Sequence, residues 1–178
     1  MHIKKIIVLI ALLLISTFLL GQDAKEENTK PDTSISKTGV MIKIINYSLP
    51  EVLKSNEKKA WGYRSNVRKT IIGGEIVYAY RIYDGSKFAD IAYDDLPEVI
   101  KTIETLKTQS GSDKSLNPDY LENKFVGGDG LEVGYYISED ELTWFVDSKS
   151  GCFLKFKDIS FFQTSLKQAK TKIESLKR

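Results

Sequence analysis

Hydrophobic and polar residues alternate with two different periods along this chain, and the two periods sort it into helices and strands. Leu96, Val99, Ile100, Ile103 and Leu106 recur so that they line one face at about 3.6 residues per turn. Phe162, Leu166, Ala169, Ile173 and Leu176 hold a second such stripe near the C-terminus. Asp95 with Glu98 three positions later has the form of a capping box, Pro97 suits a first turn, and Ser160 with Gln163 makes a comparable pair. Both segments end in lysines, which matches the negative end of a helix dipole. Two helices are predicted, each laying one apolar face on a sheet.

A period of two governs the rest. Ile76, Tyr78, Tyr80 and Ile82 alternate with Val77, Ala79, Arg81 and Tyr83; Leu131, Val133, Tyr135 and Ile137 with Glu132, Gly134, Tyr136 and Ser138; Leu142, Trp144 and Val146 with Thr143, Phe145 and Asp147. The first set in each strand is nearly all apolar and belongs under the helices, while the second is mixed. Val40 to Ile45 predicts a first strand ended by Asn46 to Pro50, and Lys87 to Tyr93 and Cys152 to Phe156 predict further strands. Two stretches resemble each other. Ile71-Ile72-Gly73-Gly74 and Phe125-Val126-Gly127-Gly128 each precede a strand, then a turn signal (Asp84-Gly85-Ser86 or Glu139-Asp140), then more strand and a closing helix. The pattern predicts an α+β fold, an antiparallel arrangement of two duplicated units of three or four strands and a helix, with both helices on one face. The units span approximately 39–108 and 119–178 of a single domain at 39–178.

The N-terminus changes the meaning of the composition. Lys4 and Lys5 precede an apolar run from Ile6 to Leu20, and Gly21-Gln22 opens a polar stretch, the anatomy of a secretory signal cleaved near Gly21-Gln22. The run is shorter than the ~20 residues a membrane span needs, and no cysteine near Gly21 offers a site for a lipid. Residues 22–38, polar and carrying Pro31, read as a flexible linker. The expectation is an exported protein, periplasmic or extracellular, with no membrane attachment after cleavage. The 26 Lys+Arg and 24 Asp+Glu of the whole chain become 24 against 24 once Lys4 and Lys5 leave, and a chain without net positive charge has no global field to gather phosphates, so no nucleic acid is expected as a partner. His2, the only histidine, lies in the signal, which removes imidazole acid–base chemistry and His-ligated metals from a mature chain. Cys152 is the sole cysteine and alternates with Leu154 and Phe156, a core position with nothing nearby to activate a thiolate. No cofactor or metal is expected.

The mixed strand faces carry the candidate site. Arg81, Tyr83, Tyr136, Phe145, Phe153 and Lys155 would form an aromatic surface edged by basic groups if their strands are neighbours. Such a surface is either an open platform for a ligand or partner, or a face covered by the linker, the first strand or a second subunit. Asp84, Asp90, Asp94, Asp95 and Glu98 form an acidic group spread over a turn, a strand and a cap, where structural roles account for them. Gly73-Gly74 and Gly127-Gly128-Asp129-Gly130 lie between strands, so they are turns and not phosphate loops.

The stretch Phe88 to Lys101 (FADIAYDDLPEVIK), joined later by Gly127 to Gly134 (GGDGLEVG), resembles a family of small exported bacterial proteins of unknown function, a likeness that implies no activity. At the level of fold the duplicated strands-then-helix unit is similar to PUR repeats and Whirly proteins, which bind single-stranded nucleic acid on an exposed sheet; export and neutrality set this chain apart from them. The leading functional reading is a non-enzymatic binding or interaction module for a protein or small ligand. Its alternatives are a carboxylate-dependent hydrolase of an envelope polymer and a structural domain that self-associates, for instance as a homodimer.

Overall fold

In the computed structural model the described residues are 39–53 and 62–178; the expected leader and linker lie outside them. Residues 39–178 form one compact unit. Its elements are β1 (Ile42–Ser48), β2 (Val52–Leu53), β3 (Gly62–Tyr63), β4 (Ser65–Ile72), β5 (Glu75–Asp84), β6 (Lys87–Ala92), a 3-10 turn (Tyr93–Asp95), α1 (Leu96–Ser115), β7 (Tyr120–Val126), β8 (Glu132–Ser138), β9 (Glu141–Asp147), β10 (Phe153–Phe156) and α2 (Ser160–Leu176). Two four-stranded antiparallel sheets result, ordered β1-β4-β5-β6 and β7-β8-β9-β10, with β2 and β3 as a separate short pair. The fold is α+β, with each half a meander of strands followed by a helix. Gly73 and Gly74 take φ of 58° and 96° in the tight β4–β5 turn, a left-handed region that a side chain resists.

The helices are exchanged between the halves. α1 follows the first sheet yet rests on β7 and β8 of the second, while α2 follows the second sheet and rests on β4 and β5 of the first and on the short strand β2. Polar anchors mark both contacts. Tyr80 Oη and Ser165 Oγ hydrogen-bond at 3.0 Å, Ser165 meets Ser65 at 3.3 Å, and Tyr78 Oη donates to the Leu176 carbonyl at 3.2 Å. On the other side Tyr135 Oη donates to Asp113 Oδ2 at 2.5 Å, and Asn123 Nδ2 donates to Tyr135 Oη at 3.1 Å and Asp113 at 3.2 Å. Between the helices Gln163 Nε2 donates to the Ile100 carbonyl at 3.2 Å and Lys167 meets Glu104 at 3.3 Å. The apolar rows of both sheets and the stripes of both helices therefore merge into one core, in which Leu96, Ile103, Leu166 and Ile173 are fully buried. Phe162 sits at its centre, edge-on to Tyr80 at 6.0 Å and stacked on Phe156 at 5.7 Å.

Several expectations about local structure need correction. β1 runs two residues later than Val40–Ile45 and includes Asn46 to Ser48, because its pairing with β4 continues through Ser48↔Asn66. The inner row of β5 is buried except Ile76, which lies beyond Tyr78, where the last turn of α2 ends. Neither helix has the side-chain cap anticipated for it. Asp95 is helical, at the end of the 3-10 turn that runs straight into α1. At α2 it is Asp158 that accepts the Ser160 N–H, at 2.8 Å, which frees Gln163 to reach α1. α1 continues to Ser115 through Gly111, well past Leu106, the last position of the apolar stripe that predicts it. Ser110, Ser112 and Ser115 return their hydroxyls to carbonyls three or four residues back, and Asp113 is held by Tyr135 and Asn123.

Exchange makes the halves interdependent, so unfolding is expected to be a single transition in which Trp144 fluorescence, read in a Trp61→Phe background because the chain has two tryptophans, and far-UV circular dichroism coincide. Phe162→Ala should lower the denaturation free energy by about 3–5 kcal/mol at both probes alike, checked by urea titration; a second-sheet signal that keeps its midpoint would show separable halves. Burial and Asp113 push the Tyr135 phenol up to about 12 from an ordinary 10.0. Burial raises that of Tyr80 as well. For both groups the folded state holds its proton where the unfolded chain has lost it. Their stabilisation is complete below pH ~10 and declines as pH rises towards ~12. Urea midpoints measured across that range should fall.

Candidate functional site

β7 to β10 alternate, so one face of the second sheet points away from α1. Register sets its rows: Val126, Glu132, Asp147 and Phe153 in one; Lys124, Gly134, Phe145 and Lys155 in the next; Glu122, Tyr136 and Thr143 in the third; Tyr120, Ser138 and Glu141 in the last. Gly134 stands directly opposite Phe145 on the neighbouring strand. Phe145 is only 4% exposed although it lies outside the main core cluster. A Cβ at position 134 would run into the Asn123 carbonyl and stand 2.6 Å from Lys124 Cβ, so the position admits no side chain unless β7 moves.

From this floor a run of rings crosses the strands. Phe145 stacks on Phe153 at 5.8 Å with 28° between planes, and Tyr136 stands 6.3 Å from Phe145 at 36°. The Lys155 ammonium lies 5.5 Å from both the Tyr136 and the Phe153 ring centres. Its hydrogen bond, aided by that of Thr143, moves the Tyr136 phenol below its ordinary pKa. Tyr120, Glu122 and Asp147 join these four residues around a groove of about 410 Å³. Its acidic side is pre-arranged. Tyr120 Oη donates to Glu122 Oε2 at 2.6 Å, and Lys124 Nζ bridges Glu122 and Glu132 at 2.8 Å each. Lys124 and then Tyr120 hold the Glu122 carboxyl below the usual carboxylate range, while the two carboxylates raise Lys124.

Of the six residues singled out from the sequence, Tyr136, Phe145, Phe153 and Lys155 thus come together. Arg81 and Tyr83 do not join them; they lie on the outer face of the first sheet. There Arg81 closes a two-pronged pair on its cross-strand neighbour Asp90, at 2.6 and 2.5 Å, with its guanidinium 3.6 Å from the Phe88 ring centre. Arg64 lies 5.3 Å from the Tyr83 ring centre and Asn66 Nδ2 donates to Tyr83 Oη at 3.0 Å. Arg81 is therefore committed internally, as is Asp90 of the acidic group. Tyr120 and Glu122 lie on β7, a strand that is not among those predicted from the sequence. Its signal was present in the alternation of Tyr120, Glu122 and Lys124 with Leu121, Asn123 and Phe125.

The groove offers ring faces, two carboxylates and an ammonium. It has no thiol: Cys152 is fully buried on the opposite side of β10, and burial raises its pKa. Among the described residues no three metal-binding side chains converge, and no helix is long and apolar enough to cross a membrane. Comparison with known proteins finds no matching family, no matching curated protein and no matching solved structure.

Gly134→Ala should destabilise the protein by about 1–3 kcal/mol through overpacking against β7, with the loss read from chemical denaturation. Replacing Lys155 with Met should return the Tyr136 phenol upward towards the ordinary tyrosine range, followed by NMR titration of the ring. An unchanged titration would show that the ammonium does not reach the hydroxyl in solution.

Proposed function

We propose that the protein is an exported, non-enzymatic binding module that holds its ligand or partner in the aromatic groove on the outer face of the second sheet. The observation that carries this reading is the ring series Tyr136–Phe145–Phe153, which lies on the sheet face turned away from the helices yet lines a groove with an ammonium and two carboxylates at its margins. Rings presented on rigid strands lose little conformational freedom on binding and favour partners with a flat apolar face. Glu122, Asp147 and Lys155 supply hydrogen bonds at the edges of such a face.

The hydrolase alternative finds less support. General acid catalysis by a carboxyl group needs a pKa raised by its surroundings, whereas Lys124 and Tyr120 lower that of Glu122. Asp147 Oδ1 accepts the Ser148 N–H at 2.7 Å.

The test uses Tyr136→Ala and Phe153→Ala, both outside the main core. Immobilised wild-type protein is exposed to separate polysaccharide and protein fractions of the source organism's cells and medium, and the retained species is identified and titrated. Each variant should weaken its binding by about tenfold with an unchanged circular dichroism spectrum. Equal affinity for wild type and both variants removes this groove from consideration, and turnover of a retained polymer would restore the hydrolase reading.

A further inference from the structure

The four edges of the two sheets are not treated alike. At β10 the Tyr63 hydroxyl takes both backbone groups of Lys155, accepting its N–H at 3.2 Å and donating to its carbonyl at 3.3 Å. At β6 the Phe88 carbonyl accepts hydrogen bonds from Ser148 and Ser150 of the β9–β10 turn. β7 presents Glu122 and Lys124, charges of the kind that discourage strand addition. Among the described residues nothing protects β1 in these ways. It pairs with β4 on one side only, over seven regular positions without a bulge or proline, and Lys43 is its single charge.

The direction of its free backbone groups follows from the ladder. Gly73 N–H donates to the Met41 carbonyl at 3.3 Å and Leu49 N–H to the Ser65 carbonyl at 3.0 Å. Odd-numbered residues therefore face β4, and the strict alternation of an antiparallel pair turns the N–H and C=O of Ile42, Ile44, Asn46 and Ser48 to the open side. The surface there is greasy as well. Met41 is 86% exposed, Ile42 58% and Ile44 47%, and Ile72 and Val77 continue the patch across β4 and β5. Most of the exposed large apolar side chains among the described residues lie at this one corner.

We infer that β1 pairs with β1 of a second copy, antiparallel about a two-fold axis at Ile44, joining the two first sheets into one continuous sheet. The strand is compatible with itself in that register. Ile44 meets Ile44 of the second copy, Lys43 meets Ile45, Ile42 meets Asn46 and Met41 meets Tyr47, so no like charges face each other. The chain upstream is a poor alternative occupant, because residues 22–38 contain Ile35 as their only large apolar residue. The three other edges being capped or charged, association stops at two copies and does not continue into a filament.

Sedimentation of the purified protein tests this, with two variants at the axis. Wild type should run at twice the mass of one chain. Ile44→Pro removes only an outward N–H, which an edge strand tolerates, and should run as a folded monomer. Ile44→Cys should cross-link to a covalent dimer under mild oxidation, since hydrogen-bonded antiparallel partners stand about 5.5 Å apart at Cα, within disulfide reach. Should Ile44→Pro fail to fold, Ile44→Lys sets two ammonium groups face to face and must give a folded monomer. A wild-type monomer at every concentration, a dimer indifferent to these changes, or a monomer that co-purifies with a peptide on β1 would each overturn the inference. Tyr136→Ala and Phe153→Ala should leave the dimer intact, which separates this result from the fate of the groove.

Discussion

A four-stranded meander has one apolar face, and it must be covered by something the chain can deliver. Here each half delivers cover to the other: α1 shelters Tyr135 and its row, and α2 shelters Tyr80 and its row. The exchange places Ser165, Ser65 and the Tyr80 hydroxyl together in the interior, where each polar atom needs a partner and finds one among the other two. A misplaced α2 would bury these groups unsatisfied, at roughly 1–3 kcal/mol apiece, so the network selects the exchanged arrangement over one in which each helix folds back on its own sheet. Gln163 and Lys167 tie α2 to α1 at Ile100 and Glu104, and that contact fixes the two coverings relative to each other.

With the inner faces committed to the core, the chemistry of the molecule is confined to the outer faces, and these have been resolved in two ways. On the first sheet Arg81 and Asp90 neutralise each other across a strand pair with Phe88 and Tyr83 packed around the guanidinium. On the second sheet the position opposite Phe145 is a glycine, and its missing Cβ lets β7 approach closely. Phe145 is buried there, with Phe153 and Tyr136 as its ring neighbours along the groove.

Periodicity made the core legible. Every residue of the Leu131–Ile137 row and most of each helix stripe is buried as the alternation requires. What escaped were the features decided by partners distant in sequence. α1 crosses Gly111 and a serine-rich stretch beyond the last apolar position of its stripe, since Asp113 is recruited by Tyr135 and Asn123 from another sheet. Asn46 to Ser48 read as a strand end and are extended because β4 offers a ladder. The helix exchange left no mark on either stripe, since an apolar face looks the same whichever sheet it meets. For the same reason the six outward residues looked like one surface: alternation specifies which side of a strand a residue occupies, not which of two sheets the strand joins.

The division of polar work among the sheet edges follows from connectivity. β10 and β6 lie where the chain returns close by, so a tyrosine from β3 and the serines of the β9–β10 turn are available to occupy their backbone groups. β7 follows the loop after α1 and has no such neighbour; charged side chains take that role instead. β1 opens the described fold and, among the described residues, has no paired strand on its outer side, yet its sequence supplies isoleucines and a single lysine where an isolated edge would be expected to carry more charge. An edge strand that carries one charge, Lys43, and turns isoleucines outward is open to strand addition, and the antiparallel symmetry of a second β1 would supply that strand with no additional element.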